Sequence, residues 1–188
     1  SEWYRAYLSS IADETGRVTQ IVGRLMSVQK DKMANEMIRR RAEIDALTNV
    51  YNHNAFEERC EKEIEKGKEN AIFLMMDVDD FKMINDTQGH NVGDLVLSQT
   101  GAILNEAVSG HGFAGRLGGD EFALFAWGLG SRDEMREFVS KLRDNLKTII
   151  FDMEYSASIG VGVLDSERQL TFRDLYFEAD QAVYAAKH

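Results

Sequence analysis

Hydrophobic positions recur with two different periods along this chain. From Trp3 to about Ile44, apolar residues fall at Tyr4, Tyr7, Ile11, Val18, Ile21, Leu25 and Val28, in steps of three, four or seven. Such a seam predicts a long helix that seeks a partner helix. The chain contains no proline to interrupt it, and at 1.5 Å per residue it would be about 60 Å long. Asp13, Glu14, Arg17, Arg24 and Lys30-Asp31-Lys32 would lie mostly on the wet side. After Val28 the apolar set moves to Met33, Met37, Ile44 and Leu47, a phase change that locally alters supercoiling. Alone the helix could not bury its stripe, so a parallel dimeric coiled coil is expected, with packing on its own domain as the alternative. Gly16 and Gly23 each weaken the helix by about 1 kcal/mol relative to Ala, which leaves two shorter helices open.

Past Ile44 the period changes from segment to segment. Asn52 to about Lys66 predicts a helix with Phe56 inward. Ala71–Met76 is a continuous apolar run, as in a strand covered on both faces, and the strand extends to 78. Asn91 to about Val108 predicts a helix with Leu95, Leu97, Ile103 and Leu104 apolar. Residues 113–117 and 121–127 flank Gly118-Gly119 and predict a hairpin. Ser131 and Glu134 form a capping box for a helix to about Ile149. A strand over Tyr155–Leu164 and a helix from Thr171 to the end complete the series. Helices crossing between strands, around a central hairpin, predict an α+β sandwich.

A chain of 188 residues, 44% of them hydrophobic, has room for one domain of about 140 residues with a full core. The net charge of −10 argues against nonspecific binding to nucleic acid or anionic lipid. It also means that a polyphosphate ligand would need a cation such as Mg²⁺ between itself and the protein. A single cysteine, Cys60, excludes an internal disulfide and fits a reducing, cytoplasmic compartment. No apolar stretch approaches the roughly 18 residues that span a membrane, and no secretory signal is visible. The first residue is Ser rather than Met, as in a fragment, for instance the cytoplasmic part of a larger sensor.

Two acidic clusters carry the candidate chemistry. Asp77-Val78-Asp79-Asp80-Phe81 follows the buried strand directly, where acids are costly unless solvated or bound to a cation. Alternation puts Asp77 and Asp79 on one side and Val78 and Asp80 on the other. Asp120-Glu121 follows Gly118-Gly119, glycines that allow a ligand close to the backbone. If the two segments are neighbours, Asp77 and Asp120 face one gap, suited to Mg²⁺, a hard ion that prefers oxygen. Solvated turn acids and a simple acidic strand cap are the bland alternatives.

These residues resemble a known family. Arg116-Leu117-Gly118-Gly119-Asp120-Glu121-Phe122 is similar to the defining motif of the GGDEF domains, the diguanylate cyclases. Asp77 to Asp86, with Gly89-His90 and Gly93-Asp94, resembles the family's D-x-D-x-F-K-x-I-N-D…G-H…G-D block. Asp45-Ala46-Leu47-Thr48 with Asn52 and Phe56 resembles its opening element, and Ser156–Gly160 and Ala179–Lys187 its last strand and closing helix. The match spans residues 45–188, leaving 1–44 as a signalling helix. The resemblance implies a central, mainly antiparallel sheet with helices on both sides, like the palm of nucleotide cyclases and polymerases.

It further implies condensation of two GTP into cyclic di-GMP with release of pyrophosphate. The metal ligands would be Asp77, Asp120 and the Val78 carbonyl, holding Mg²⁺ with Mn²⁺ as a substitute. Asp120 or Glu121 would deprotonate the 3′-hydroxyl. Phosphate contacts would come from backbone around Asp80 and Phe81, from Lys82, from Gly118-Gly119 and from Lys187. Guanine's adjacent N1–H and N2–H₂ donors suit Asn85 and Asp94, because a carboxylate left unpartnered by adenine rejects it. His90 is expected to be structural. Each domain would hold one GTP, so two must meet face to face as a homodimer, joined through the N-terminal helix below an upstream sensor.

Three departures stand out. Ser109-Gly110-His111-Gly112 occupies the place of the family's R-x-x-D product-inhibition site, so no inhibition is expected there. Asn49 replaces a common glycine, and Asn still tolerates the left-handed conformation. The usual G-R-N after the closing helix is absent, as the chain ends at His188. An idle GGDEF module that binds GTP and relays a signal, and a purely structural dimerisation unit, are the competing readings.

Overall fold

The computed structural model describes residues 4–27, 43–67, 70–147, 149–150, 153–164 and 170–187. The chain divides into two compact units, Ser1–Ala42 and Glu43–His188. In the first, Tyr4–Ala12 (β1) and Val18–Ser27 (β2) pair antiparallel as a hairpin. The long helix expected from the three-four-seven spacing is therefore not what residues 4–27 form, and the coiled-coil seam over them goes with it. Positions 28–42 lie outside the described residues.

Turn chemistry explains the difference. The Asp13 carboxylate accepts bonds from the Thr15 amide (2.9 Å), the Thr15 hydroxyl (2.6 Å) and the Arg17 amide (3.1 Å). Gly16 sits at φ +83°, where a side chain would be strained. This loop reverses the chain, and the β-branched Val18, Thr19, Ile21 and Val22 then favour a strand. Cross-strand pairs Ala6–Leu25, Leu8–Gly23 and Ser10–Ile21 share one face. That face carries Leu8, Ile21 and Leu25, exposed at 74%, 71% and 73%.

The second unit runs Tyr51–Asn52 (β3), His53–Glu65 (α1), Ala71–Val78 (β4), Phe81–Gln88 (α2), His90–Ala107 (α3), Gly112–Gly118 (β5), Glu121–Ala126 (β6), Arg132–Leu146 (α4), Ile149–Ile150 (β7), Met153–Glu154 (β8), Ala157–Leu164 (β9) and Phe172–Lys187 (α5). Its five-stranded sheet has the order β3-β5-β6-β4-β9. The β3–β5 pair is parallel and the other pairings are antiparallel. This is the α+β architecture that the sequence predicted, with one parallel pair making the sheet mixed.

Strand β4 sorts its side chains by parity. Ile72, Leu74, Met76 and Val78 enter a core with Val96, Leu97 and Leu104 of α3 and Leu142 and Leu146 of α4. Ala71, Phe73 and Met75 enter a second core with Phe56 and Cys60 of α1 and Leu175, Ala179 and Val183 of α5. Both faces are covered, which is why the run reads as unbroken hydrophobicity. Cys60 is buried there, and desolvation pushes its thiol well above the ordinary range. Helix α5 lies hard against β9: a Cβ on Gly160 would stand 2.0 Å from the Ala179 carbonyl oxygen.

Some local features differ from the periodic reading. Ser131 caps α4 as predicted, accepting from the Glu134 amide at 3.2 Å. The helix stops at Leu146, and Ile149–Ile150 join a small β7–β8 ladder, in keeping with their β-branched side chains. Helix α2, a separate element, follows directly on the acidic strand end.

Candidate functional site

The odd-numbered row of β4 ends in Asp77, on the face that α5 covers. Its register partners are Glu121 of β6 and Ser158 of β9. Asp120 occupies the turn just before, and its carbonyl accepts from the Val78 amide at 3.3 Å. Asp77 thus stands opposite Glu121 in the ladder, with Asp120 beside them at the Gly-Gly turn. Like charges opposed across strands repel. Burial first, then the charges of Asp77, Asp120 and Asp180, push the Glu121 carboxyl above its ordinary value, while Lys187 acts the other way.

Lys187, in the last turn of α5, meets these acids. Its Nζ lies 2.6 Å from Asp77 Oδ1. Partial burial disfavours the ammonium, but the bond to Asp77 and the charges of Asp77, Asp120 and Asp79 outweigh it and hold the pKa above the ordinary range. A polar cavity of about 520 Å³ opens beside the pair, lined by Asp79, Asp80, Ser156, Ser158, Ala186 and Lys187. An apolar groove of about 320 Å³ between α4 and β9 contains none of the acids.

Asp79 does not share Asp77's situation, because the strand ends at Val78. Its carboxylate accepts the Ser156 hydroxyl at 2.5 Å and the Ser158 hydroxyl at 2.7 Å, and its amide donates to the Ser156 carbonyl at 2.9 Å. It ties β4 to the start of β9. Asp80 takes the left-handed conformation (φ +54°) and opens α2.

The Gly-Gly turn is held from outside. Arg116 donates from Nε (2.9 Å) and Nη2 (2.6 Å) to the Gly119 carbonyl. Its Nη1 lies 3.3 Å from Asp45 Oδ1, an oxygen that also accepts from the Thr48 amide (2.9 Å) and hydroxyl (2.6 Å). Burial opposes ionisation of Asp45, yet the Thr48 bonds and the Arg116 charge together keep its carboxyl below 3.8. Asn49, at φ +56°, takes the left-handed turn expected of it.

At the α2–α3 corner, a Cβ on Gly93 would lie 2.0 Å from Asn85 Oδ1 and 3.3 Å from Phe81 Cζ. The bare glycine lets the Asn85 amide and the Phe81 ring lie against α3 at the residue preceding Asp94. Two of the predicted nucleotide contacts, Phe81 and Asn85, are therefore brought together beside Gly93, the chain neighbour of Asp94. Lys82 is exposed in the first turn of α2, and Gly118 and Gly119 are exposed in their turn.

The donors at the strand end suit a hard divalent cation. Among the described residues no three Asp, Glu, His or Cys side chains converge on one metal position. Carboxylates of Asp77 and Asp120 with the Val78 carbonyl are oxygen donors of the kind Mg²⁺ takes while keeping waters and phosphate oxygens. The Asp77 carboxylate is already paired with the Lys187 ammonium. Sequence reasoning missed the Asp45–Arg116 clamp, the role of Asp79, and Tyr176 and Asp180, whose charge coupling to Glu121 places them near it. Asp45 and Asp180 lay within quoted motifs, but nothing local indicates what they face.

The comparisons with known proteins agree in direction. A family model described as diguanylate cyclase, GGDEF domain, matches residues 42–188. The chain is 31% identical over 150 residues to the probable diguanylate cyclase DgcT of Escherichia coli (strain K12), covering 76% of this chain and 33% of that protein. It is 33% identical over 167 residues to the signaling protein YkoW of Bacillus subtilis (strain 168), covering 84% of this chain and 21% of that one. The chain thus spans a third or less of the length of these relatives. The coiled coil and GGDEF domain of DgcB from Caulobacter crescentus, solved with c-di-GMP, superposes with a TM-score of 0.73 at 25% identity, covering 85% of this chain and 88% of that one. Diguanylate cyclase SiaD of Pseudomonas aeruginosa, solved with its activator SiaC, gives 0.72 at 28% identity, covering 85% and 63%.

Proposed function

The chain belongs to the GGDEF diguanylate cyclase family, and on that premise we propose that it condenses two GTP into cyclic di-GMP and two pyrophosphates. The observation that supports this reading is that Asp77, Asp120 and Glu121 share one sheet end, next to the Lys187 ammonium, which lines a polar cavity. Each GTP 3′-hydroxyl attacks the α-phosphorus of the other. The new O3′–P bond forms as the bond to pyrophosphate breaks, and the hydroxyl proton passes to a carboxylate. Such transfers depend on in-line positioning and charge neutralisation.

Asp77, Asp120 and the Val78 carbonyl are the residues that would hold Mg²⁺, or Mn²⁺ in its place. The bound cations would acidify the 3′-hydroxyl and stabilise the leaving oxygens. Glu121, whose proton affinity is raised by burial and then by its acidic neighbours, and Asp120 are the candidate bases. Asn85 and Asp94 would accept and donate along the guanine edge, with Phe81 beside them. Lys82, Lys187 and the exposed backbone at Gly118-Gly119 would meet phosphates.

One domain offers one nucleotide site, so the active form would be a twofold dimer with two sites face to face. The exposed, uncharged row of Leu8, Ile21 and Leu25 supports a further attachment. A sensor element in the first unit's environment, acting on cyclase alignment, fits that surface. The test is incubation with GTP and Mg²⁺, with chromatographic detection of cyclic di-GMP, repeated with Asp120→Ala. Product from the parent chain and none from the variant is expected. GTP binding with no product from the parent would instead make this an idle, relaying module.

A further inference from the structure

Lys187 occupies a boundary. Its ammonium is bonded to Asp77, yet the same side chain lines the polar cavity with Asp79, Asp80, Ser156 and Ser158. Asp79 is already engaged by two serine hydroxyls, so it does not compete for the ammonium as Asp77 does. The Lys187 and Asp77 side chains are 36% and 18% exposed, which leaves the ammonium accessible to an exchanging ion. A lysine is a compact charge on a flexible four-carbon stem. It can move its ammonium by a few ångströms without moving α5.

We infer that Lys187 is an exchangeable counter-ion for the metal seat: it neutralises Asp77 while no divalent cation is bound, and when one binds it turns into the cavity to pair with a nucleotide phosphate. The inference rests on the cyclase reading for the identity of the seat and the nucleotide. It makes one side chain the link between two ligands. A cation that takes Asp77 frees the ammonium for phosphate, and a phosphate that draws the ammonium away opens Asp77. Binding of each then favours the other by the same factor. Without Lys187, a metal-free Asp77 would face Glu121 and Asp120 without the ammonium that now offsets them.

The experiment measures binding without turnover. Mn²⁺ alone is titrated by electron paramagnetic resonance against the parent chain, Lys187→Met, Lys187→Arg and Asp77→Asn. A non-hydrolysable GTP analogue is titrated with and without Mn²⁺. Displacing a partly exposed ion pair costs a cation about 2- to 5-fold in affinity. Lys187→Met should therefore bind Mn²⁺ alone about 2- to 5-fold more tightly, bind the analogue more weakly, and lose most of the mutual enhancement. Lys187→Arg, which keeps the charge, should return Mn²⁺ affinity towards the parent value. Unchanged or weaker Mn²⁺ binding by a folded Lys187→Met overturns the exchange. Undiminished Mn²⁺ binding by Asp77→Asn overturns the metal seat itself, which separates failure of the inference from failure of the cyclase reading.

Discussion

Replacing Asp45 with Ala tests the idea that the Gly-Gly turn is positioned by a residue far away in sequence. The carboxylate accepts from the Thr48 amide, the Thr48 hydroxyl and the Arg116 guanidinium, and the two partners of the ion pair have side chains only 17% and 25% exposed. Hydrogen bonds to charged groups contribute about 1.5–3 kcal/mol. Allowing for partial solvation, the loss should be about 2–3 kcal/mol. At about 3 °C per kcal/mol for a domain of this size, the melting temperature should fall by about 6–9 °C. Arg116 would keep its bonds to the Gly119 carbonyl but lose the anchor behind it. Because small displacements of reacting groups are costly, turnover of GTP should drop by about 10-fold or more. Asp45 has a depressed carboxyl, so its contribution is present above the ordinary value of 3.8 and is lost as pH falls below it; the stability gap to the variant should close there. Calorimetry across pH and a double-mutant cycle with Arg116→Ala measure these quantities. A melting temperature within about 1 °C of the parent, or additive effects of the two substitutions within about 0.3 kcal/mol, would refute the clamp.

Other substitutions probe the site from different sides. Glu121 has a raised carboxyl, so its ionisation opposes folding at neutral pH; Glu121→Gln should raise the melting temperature at pH 7, with the gain vanishing below its ordinary value of 4.5, while cyclase activity falls. A destabilised variant at pH 7 would show that the like-charge crowding is illusory. Gly93→Ala should displace chiefly the Asn85 amide, the movable end of a side chain 2.0 Å from the new Cβ, and shift the Phe81 ring, 3.3 Å away, slightly, raising the KM for GTP by about 2- to 10-fold with little loss of stability. Gly160→Ala, by contrast, meets the α5 backbone at Ala179 and Val183 and should lower the melting temperature markedly. Equal melting temperatures for these two variants would count against the packing described.

Much of the second unit was legible from neighbouring residues. The buried run at Ala71–Met76, the Gly118-Gly119 hairpin, the Ser131 cap and the left-handed Asn49 all follow from side-chain chemistry acting over a few positions. The order of helices and strands, and the two acid-bearing turns, follow in the same way. The first unit misled for a related reason. Spacings of three, four and seven satisfy a helical seam, but β-branched residues around an Asp-Glu-Thr-Gly turn satisfy a hairpin equally, and residues 4–27 take the hairpin.

What the chain pattern could not contain is which distant groups meet. Strand register pairs Asp77 with Glu121, 44 positions on, because burying one parity of β4 against each helical layer leaves no freedom to slip by a residue. The same packing carries Lys187 on α5 to Asp77, withdraws Asp79 to two serines, and joins Asp45 to Arg116 across 71 positions. Local propensity acts between adjacent residues, whereas these contacts exist only once the sheet and its two helical layers exclude water together.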